Sequence, residues 1–181
     1  MAPVYGDIEK PFKRLFFALP LSAQQSRAVA QWRRGLALRS GKPVPAANFH
    51  VTLLFLGAVD AAQVPAICAA VDQLALPTTP PRLLLDRLQV WQRANALVLE
   101  AQQPPAALLQ LVYGLQQTLL PLGVEAASRD YRPHLTLARD FRGRPPEASS
   151  TPDFFLAARH FTLYESRKGA YWPLAQWPLS N

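Results

Sequence analysis

The sequence predicts an α+β fold of two similar lobes related by a pseudo-twofold axis. Each lobe is expected to carry a mainly antiparallel sheet with helices on the outside, and a cleft is expected between them. Three observations predict it. The tetrapeptide His-x-Thr-x occurs at His50-Val51-Thr52-Leu53 and again at His134-Leu135-Thr136-Leu137, 84 residues later. Each copy is preceded by the same series, an apolar strand-like run and then an amphipathic helix. Half of the 181 residues are hydrophobic, enough to bury one core. The chain is therefore read as one bilobal domain over residues 1–181, with duplicated strand–helix–strand units at about 14–56 and 96–139.

The first unit opens with the run Arg14 to Leu19, read as a buried strand. Lys13-Arg14 before it gives a likeness to the start of a secretory signal, but Pro20 cuts the apolar run short. Ser22 with Gln25 three residues on is a capping-box pattern, and Val29, Trp32 and Leu36 follow at helical spacing. Gly35, Gly41 and Pro43 close that helix and lead to the motif strand, Phe49 to Leu56. Asp60 with Gln63 suggests a second capping box, opening a helix with Ile67, Val71 and Leu74 and with Pro65 in its first turn. Strands are expected from Arg82 to Trp91 and from Ala96 to Ala101, with Arg93-Ala94-Asn95 in the turn.

In the second unit Pro104-Pro105 opens a helix, and Leu108, Leu111, Val112, Leu115 and Leu119 form its apolar stripe. Pro121 and Gly123 stop it, and the second motif strand runs from about Pro133 to Ala138. Arg142 to Asp153 is rich in Pro, Gly and Ser and reads as an exposed loop. Two more strands are expected, Ala158 to Glu165 and Ala170 to Trp177. Pro173 and Pro178 put the last one at a sheet edge.

Nineteen Lys and Arg against 12 Asp and Glu give a formal charge of +7. That balance favours a polyanionic partner through counterion release, although it also serves solubility. A single cysteine excludes an intrachain disulfide and a Cys-rich zinc site, and fits a reducing cytosol. Cys68, among Val64, Ile67 and Val71, reads as core packing. No apolar run approaches the roughly 18–20 residues of a membrane span.

On a strand, residues i and i+2 share a face. His50 therefore projects with Thr52, and His134 with Thr136, while Val51 and Leu135 anchor the opposite face. Two imidazoles and two hydroxyls in one cleft suit phosphodiester cleavage. One imidazole removes a proton from water and the other protonates the departing sugar oxygen. Imidazole, titrating near 6.5, offers both forms at neutral pH. The hydroxyls can hydrogen-bond the non-bridging oxygens. Two histidines with no adjacent carboxylate or thiolate make a poor zinc site, so neither metal nor cofactor is expected. His160-Phe161-Thr162 repeats the pattern a third time. It follows no matching strand–helix unit at the 84-residue offset, so it reads as structural.

With these flanks the sequence resembles the two-histidine (2H) phosphoesterases, in the RNA 2′,3′-cyclic phosphodiesterase (LigT-like) branch once named 2′-5′ RNA ligase. The matching stretches are Arg14 to Leu19, Asn48 to Gly57, Arg132 to Arg139 and Phe161 to Ser166, in family order. The resemblance implies a metal-independent, cytoplasmic enzyme that opens an RNA 2′,3′-cyclic phosphate to a 2′-phosphomonoester. It implies His50 as proton donor, His134 as proton acceptor, and Thr52, Thr136 and Arg139 as phosphate-binding residues. Arg139 presents a difficulty: on a regular strand its parity is opposite to that of His134. Phe49, Tyr131 and Arg132 flank the motifs and are candidate RNA contacts. A monomer without an obligate protein partner is expected. A sibling reaction on 2′-5′ linkages or small cyclic nucleotides, or a non-catalytic RNA-binding module, are the alternatives.

Overall fold

The computed structural model describes residues 11–77, 79–124 and 130–179. Its strands are β1 (Phe12–Pro20), β2 (Lys42–Pro43), β3 (His50–Asp60), β4 (Arg82–Leu85), β5 (Arg87–Trp91), β6 (Ala96–Glu100), β7 (His134–Arg139), β8 (Phe154–Ala157), β9 (His160–Arg167) and β10 (Ala170–Pro178). Its helices are α1 (Ala23–Arg34), α2 (Val64–Asp72) and α3 (Ala106–Leu119). Every strand pair is antiparallel.

The main sheet runs β10-β9-β1-β3-β7-β6-β5, with β2 also on β7. Its two halves meet at one residue pair, Val51 opposite Leu135, the central position of the two tetrapeptides. β3 then continues along β1, while β7 begins only at His134. The rest of β7 is paired by β2 and by the Val44 amide, which donates to the Leu137 carbonyl at 2.9 Å. So short a seam lets the halves diverge, and the cleft opens where they do. This is the bilobal α+β arrangement expected from the sequence.

The two motif strands share more than their tetrapeptides. Both begin with the same burial series, half-buried, buried, half-buried, buried, buried, exposed, over His50 to Phe55 and His134 to Arg139. Both contain an extra residue at the same place. Phe17 and Ala18 oppose Leu54 and Thr52, so Leu53 is bulged. Leu97 and Val98 oppose Ala138 and Thr136, so Leu137 is bulged. A bulge reverses the alternation beyond it. Leu53 and Leu54 are therefore both buried, as are Leu137 and Ala138.

A second irregularity in β3 lies between Leu15 and Phe16 of its partner, next to Gly57, whose φ is +72°. That left-handed conformation costs an L-residue about 1–2 kcal/mol. A Cβ there would have open space around it, so the cost is purely in the backbone. Gly57→Ala should lower unfolding free energy by that amount, read as a reduced urea midpoint with unchanged slope.

Local chemistry explains most elements. Ser22 Oγ accepts from the Gln25 amide at 3.1 Å and Gln25 Oε1 from the Ser22 amide at 2.9 Å, completing the expected capping box of α1. The second expected box does not form. Asp60 Oδ1 accepts from the Ala62 amide at 2.9 Å and starts a tight 3₁₀ turn, Ala61–Gln63. The Gln63 side chain donates instead to the Leu122 carbonyl at 3.2 Å. α3 buries all five residues of its predicted stripe.

The helices tie the halves together. Arg33 of α1 donates to the carbonyls of Val44 and Leu137 at 2.6 and 2.8 Å. α3 packs against α2 and β3, and Trp177 of β10 donates its indole N–H to Asp72 of α2 at 2.7 Å. β10 is an edge strand, as its prolines predicted. Cys68 is only half-buried, at the margin of the core.

Two strand expectations fail as well. The single strand from Arg82 to Trp91 is two strands in different sheets, because Asp86 breaks it. Its amide donates to the Glu100 carbonyl at 3.1 Å and its carboxylate accepts from the Gln102 amide at 2.9 Å. β4 leaves to pair with β8, a strand not expected from the sequence. Phe154-Phe155-Leu156-Ala157 directly follows the polar loop and is too short to show a period.

Candidate active site

His50 and His134 open their strands, and the same local device orients each ring. Nδ1 of His50 lies 2.7 Å from the Asn48 carbonyl, and Nδ1 of His134 lies 2.9 Å from the Arg132 carbonyl. A carbonyl only accepts, so Nδ1 carries the proton in both and Nε2 is left for chemistry. His50 Nε2 sits 3.0 Å from Thr52 Oγ1, close enough for the hydroxyl to donate to the neutral ring.

Antiparallel pairing about Val51 and Leu135 places His50 across from Thr136 and Thr52 across from His134. Two adjoining grooves lie here; Thr52 joins His134 in the first, and Thr136 is not among the residues that line either. One, of about 290 Å³, is lined by Thr52, Phe55, Trp91, Tyr131, Arg132 and His134 among others. The second, of about 200 Å³, is lined by Phe16, His50, Phe55, Arg139 and Tyr171 among others. Each groove thus joins side chains from both tetrapeptide strands. Phe55 is 65 % exposed and stands between the two.

Both rings are half-buried, and burial holds both below the ordinary imidazole value of 6.5. For His50 the bond to Asn48 opposes that shift, while the charges of Arg139 and His134 reinforce it. For His134 the bond to Arg132 and the Glu100 carboxylate oppose it, and the Arg132 guanidinium adds to it.

The bulge at Leu137 removes the parity difficulty at Arg139. Beyond the bulge Arg139 faces the same side as His134 and Thr136 and lines the groove with His50. Its guanidinium reaches the Tyr171 hydroxyl at 3.4 Å. Phe49 corrects the expectation of an RNA contact: it is 4 % exposed, a core side chain under the Arg33 guanidinium at 4.9 Å. Tyr131 lines the groove beside His134 and donates its hydroxyl to the Thr52 carbonyl at 2.7 Å. Burial pushes its phenol well up, so that donor stays protonated. Arg132 is exposed and lies over the Trp91 ring at 5.1 Å. His160 pairs with Pro178 at the start of β9 and lines neither groove.

Several residues of the site carried no sequence signal. Phe16 and Tyr171 wall the His50 ring at 5.1 and 5.0 Å, and Trp91 packs on the His134 ring at 4.0 Å. Glu100, 4 % exposed, is register partner to His134. Phe55 could have been found: it stands 84 residues before Arg139, at the equivalent place in the first unit. Among the described residues, no three His, Cys, Asp or Glu side chains gather as a metal site would need, and no helix is long and apolar enough to cross a membrane.

Antiparallel lobes that present paired His-x-Thr strands across one cleft define a two-histidine phosphoesterase. The chain belongs to the LigT like phosphoesterase family, which matches it twice, over residues 19–98 and 99–172. It is 33 % identical to the RNA 2′,3′-cyclic phosphodiesterase of Escherichia coli K12, over 93 % of this chain and 98 % of that protein. The crystal structure of E. coli LigT complexed with 3′-AMP superposes with a TM-score of 0.80 at 33 % identity, covering 93 % of this chain and 98 % of the other. The structure of TT0787 from Thermus thermophilus gives a TM-score of 0.74 at 25 % identity, covering 92 % and 97 %.

Proposed function

We propose that this chain is an RNA 2′,3′-cyclic phosphodiesterase that hydrolyses a terminal cyclic phosphate to a 2′-phosphomonoester. Water attacks phosphorus in line with O3′. His134 Nε2 takes the proton from water, and His50, protonated on Nε2, gives its proton to O3′ as the P–O3′ bond breaks. Thr52, released from the His50 ring when that ring is protonated, and Thr136 donate to the non-bridging oxygens. Arg139 offsets the charge that builds there.

The observation that carries this reading is the crossed site, in which each groove combines residues of both tetrapeptide strands. Each ring has a guanidinium beside it that promotes loss of a proton, Arg139 at His50 and Arg132 at His134, and His134 has in addition the Glu100 carboxylate, which promotes gain of one. Relatives named RNA 2′,3′-cyclic phosphodiesterase support the substrate. The proposed catalytic set is drawn from one chain, in keeping with a monomer. A duplication of the units at about 14–56 and 96–139 is supported by the paired family matches and the shared bulge.

The test is an assay on RNA ending in a 2′,3′-cyclic phosphate after chelator treatment. Turnover should be unaffected by the chelator, and phosphorus NMR should show only the 2′-phosphomonoester. Salt-sensitive binding without turnover would make the protein an RNA-binding module. Turnover confined to 2′-5′ linkages or small cyclic nucleotides would reassign the substrate.

A further inference from the structure

We propose that Glu100 is a positioning residue for His134: its carboxylate holds both the indole that walls the imidazole and the residue whose carbonyl orients it. The geometry is compact. Glu100 Oε2 accepts from Trp91 Nε1 at 3.1 Å and from Arg132 Nη2 at 2.7 Å. Trp91 lies against the His134 ring at 4.0 Å, and the Arg132 carbonyl receives the Nδ1 proton of His134 at 2.9 Å. The Arg132 guanidinium also covers the Trp91 ring at 5.1 Å, closing the loop. Arg87 adds a longer ion pair to Oε1 at 3.7 Å.

This placement is costly for a purely structural residue. Leu97, Val98 and Leu99, which precede Glu100 on β6, have no exposed surface. A buried carboxylate costs several kcal/mol unless it is fully paired, and an apolar side chain of similar volume often does as well or better. Among the described residues, the other lobe has no counterpart at that place. The register partner of His50 on β1 is Pro20, and its ring is walled by Phe16 and Tyr171. The carboxylate is therefore one feature that distinguishes the two imidazoles.

The inference rests on the proposed reaction, in which His134 accepts the proton. The charged groups beside that ring are Glu100 from β6 and Asp130 and Arg132 from the segment before β7, with Arg87 of β5 paired to Glu100 further out. Glu100 is the acidic one that acts to keep the ring protonated. Replacing it by a neutral isostere removes that influence, so the ring should lose its proton at lower pH.

The experiment compares Glu100→Gln with the unaltered full-length chain. Ring carbon and proton signals of His134 are titrated by NMR without substrate, and kcat and KM are measured against pH on cyclic-phosphate-ended RNA. The variant should show its His134 midpoint and the acid limb of kcat/KM both moved to lower pH. kcat should fall about tenfold with KM little changed, as expected for a misdirected base. Titration and profile that superimpose on those of the unaltered chain would overturn the proposal. Should Glu100→Gln not fold, Trp91→Phe keeps a smaller aromatic ring beside His134 and removes the N–H that Glu100 holds. A several-fold loss of kcat with a displaced His134 titration midpoint then supports the clamp, and unchanged kinetics and midpoint overturn it. The NMR titration needs no turnover, so a wrong assignment of the reaction would appear separately, as an unaltered chain without hydrolysis.

Discussion

Replacing His134 with alanine is expected to lower kcat/KM on a cyclic-phosphate RNA end by about 10²- to 10⁴-fold, the usual value of one positioned proton-transfer group. His50→Ala should lose a comparable factor. The double variant should be little worse than either, because an acid and a base that act in one step are not additive. The pH profile separates their roles. Rate rises with pH as His134 becomes neutral, and falls as His50 loses the proton it must donate. Burial holds both rings below 6.5, so the optimum of kcat/KM, which reports the free enzyme, should lie on the acid side of that value. His134→Ala should flatten the acid limb and His50→Ala the alkaline one. Both rings are half-buried at the cleft, so thermal midpoints should stay near that of the unaltered chain. Full activity in both variants would remove the mechanism.

The second large effect concerns Arg139. Arg139→Met should reduce kcat by about 10²-fold, the scale of losing one group that stabilises transition-state charge. The guanidinium is exposed and, among the described residues, its one hydrogen bond is the 3.4 Å contact with Tyr171, so folding should not suffer. Arg139→Lys should restore part of the rate, because a point charge replaces the planar fork without its geometry. Steady-state kinetics on the same RNA end decides it. An unaltered kcat in Arg139→Met would place the residue outside the reaction.

Arg139 also shows where the sequence is informative and where it is silent. Two-residue alternation correctly put His50 with Thr52 and His134 with Thr136, because the strands are regular at those positions. It misdirects at Arg139, since the extra residue at Leu137 leaves no mark in the local composition. The bulge could be read only from ladder partners distant in the chain. Helices were legible from caps and stripes, and Ser22 with Gln25 and the five leucine and valine positions of α3 are examples. Asp60 with Gln63 has the same letters as a capping box, but the Gln63 side chain is claimed by the Leu122 carbonyl. Phe49 looked available beside the motif and is buried under Arg33, a tertiary contact that adjacency does not reveal. Glu100 and Trp91 are set beside His134 by the β5–β6–β7 ladder, and nothing in their own neighbourhood marks them.

Phe55 and Arg139 occupy matching places on the two motif strands, yet one is a flat hydrocarbon and the other a cation. The backbone is nearly indifferent to being turned end for end, and these two side chains are not. A nucleotide has its own polarity, with a ring system at one end and charge at the other. Only one heading of such a ligand lays its ring system on Phe55 and its charge against Arg139, so the cleft acts as a one-way seat, and one regioisomer rather than a mixture should leave it.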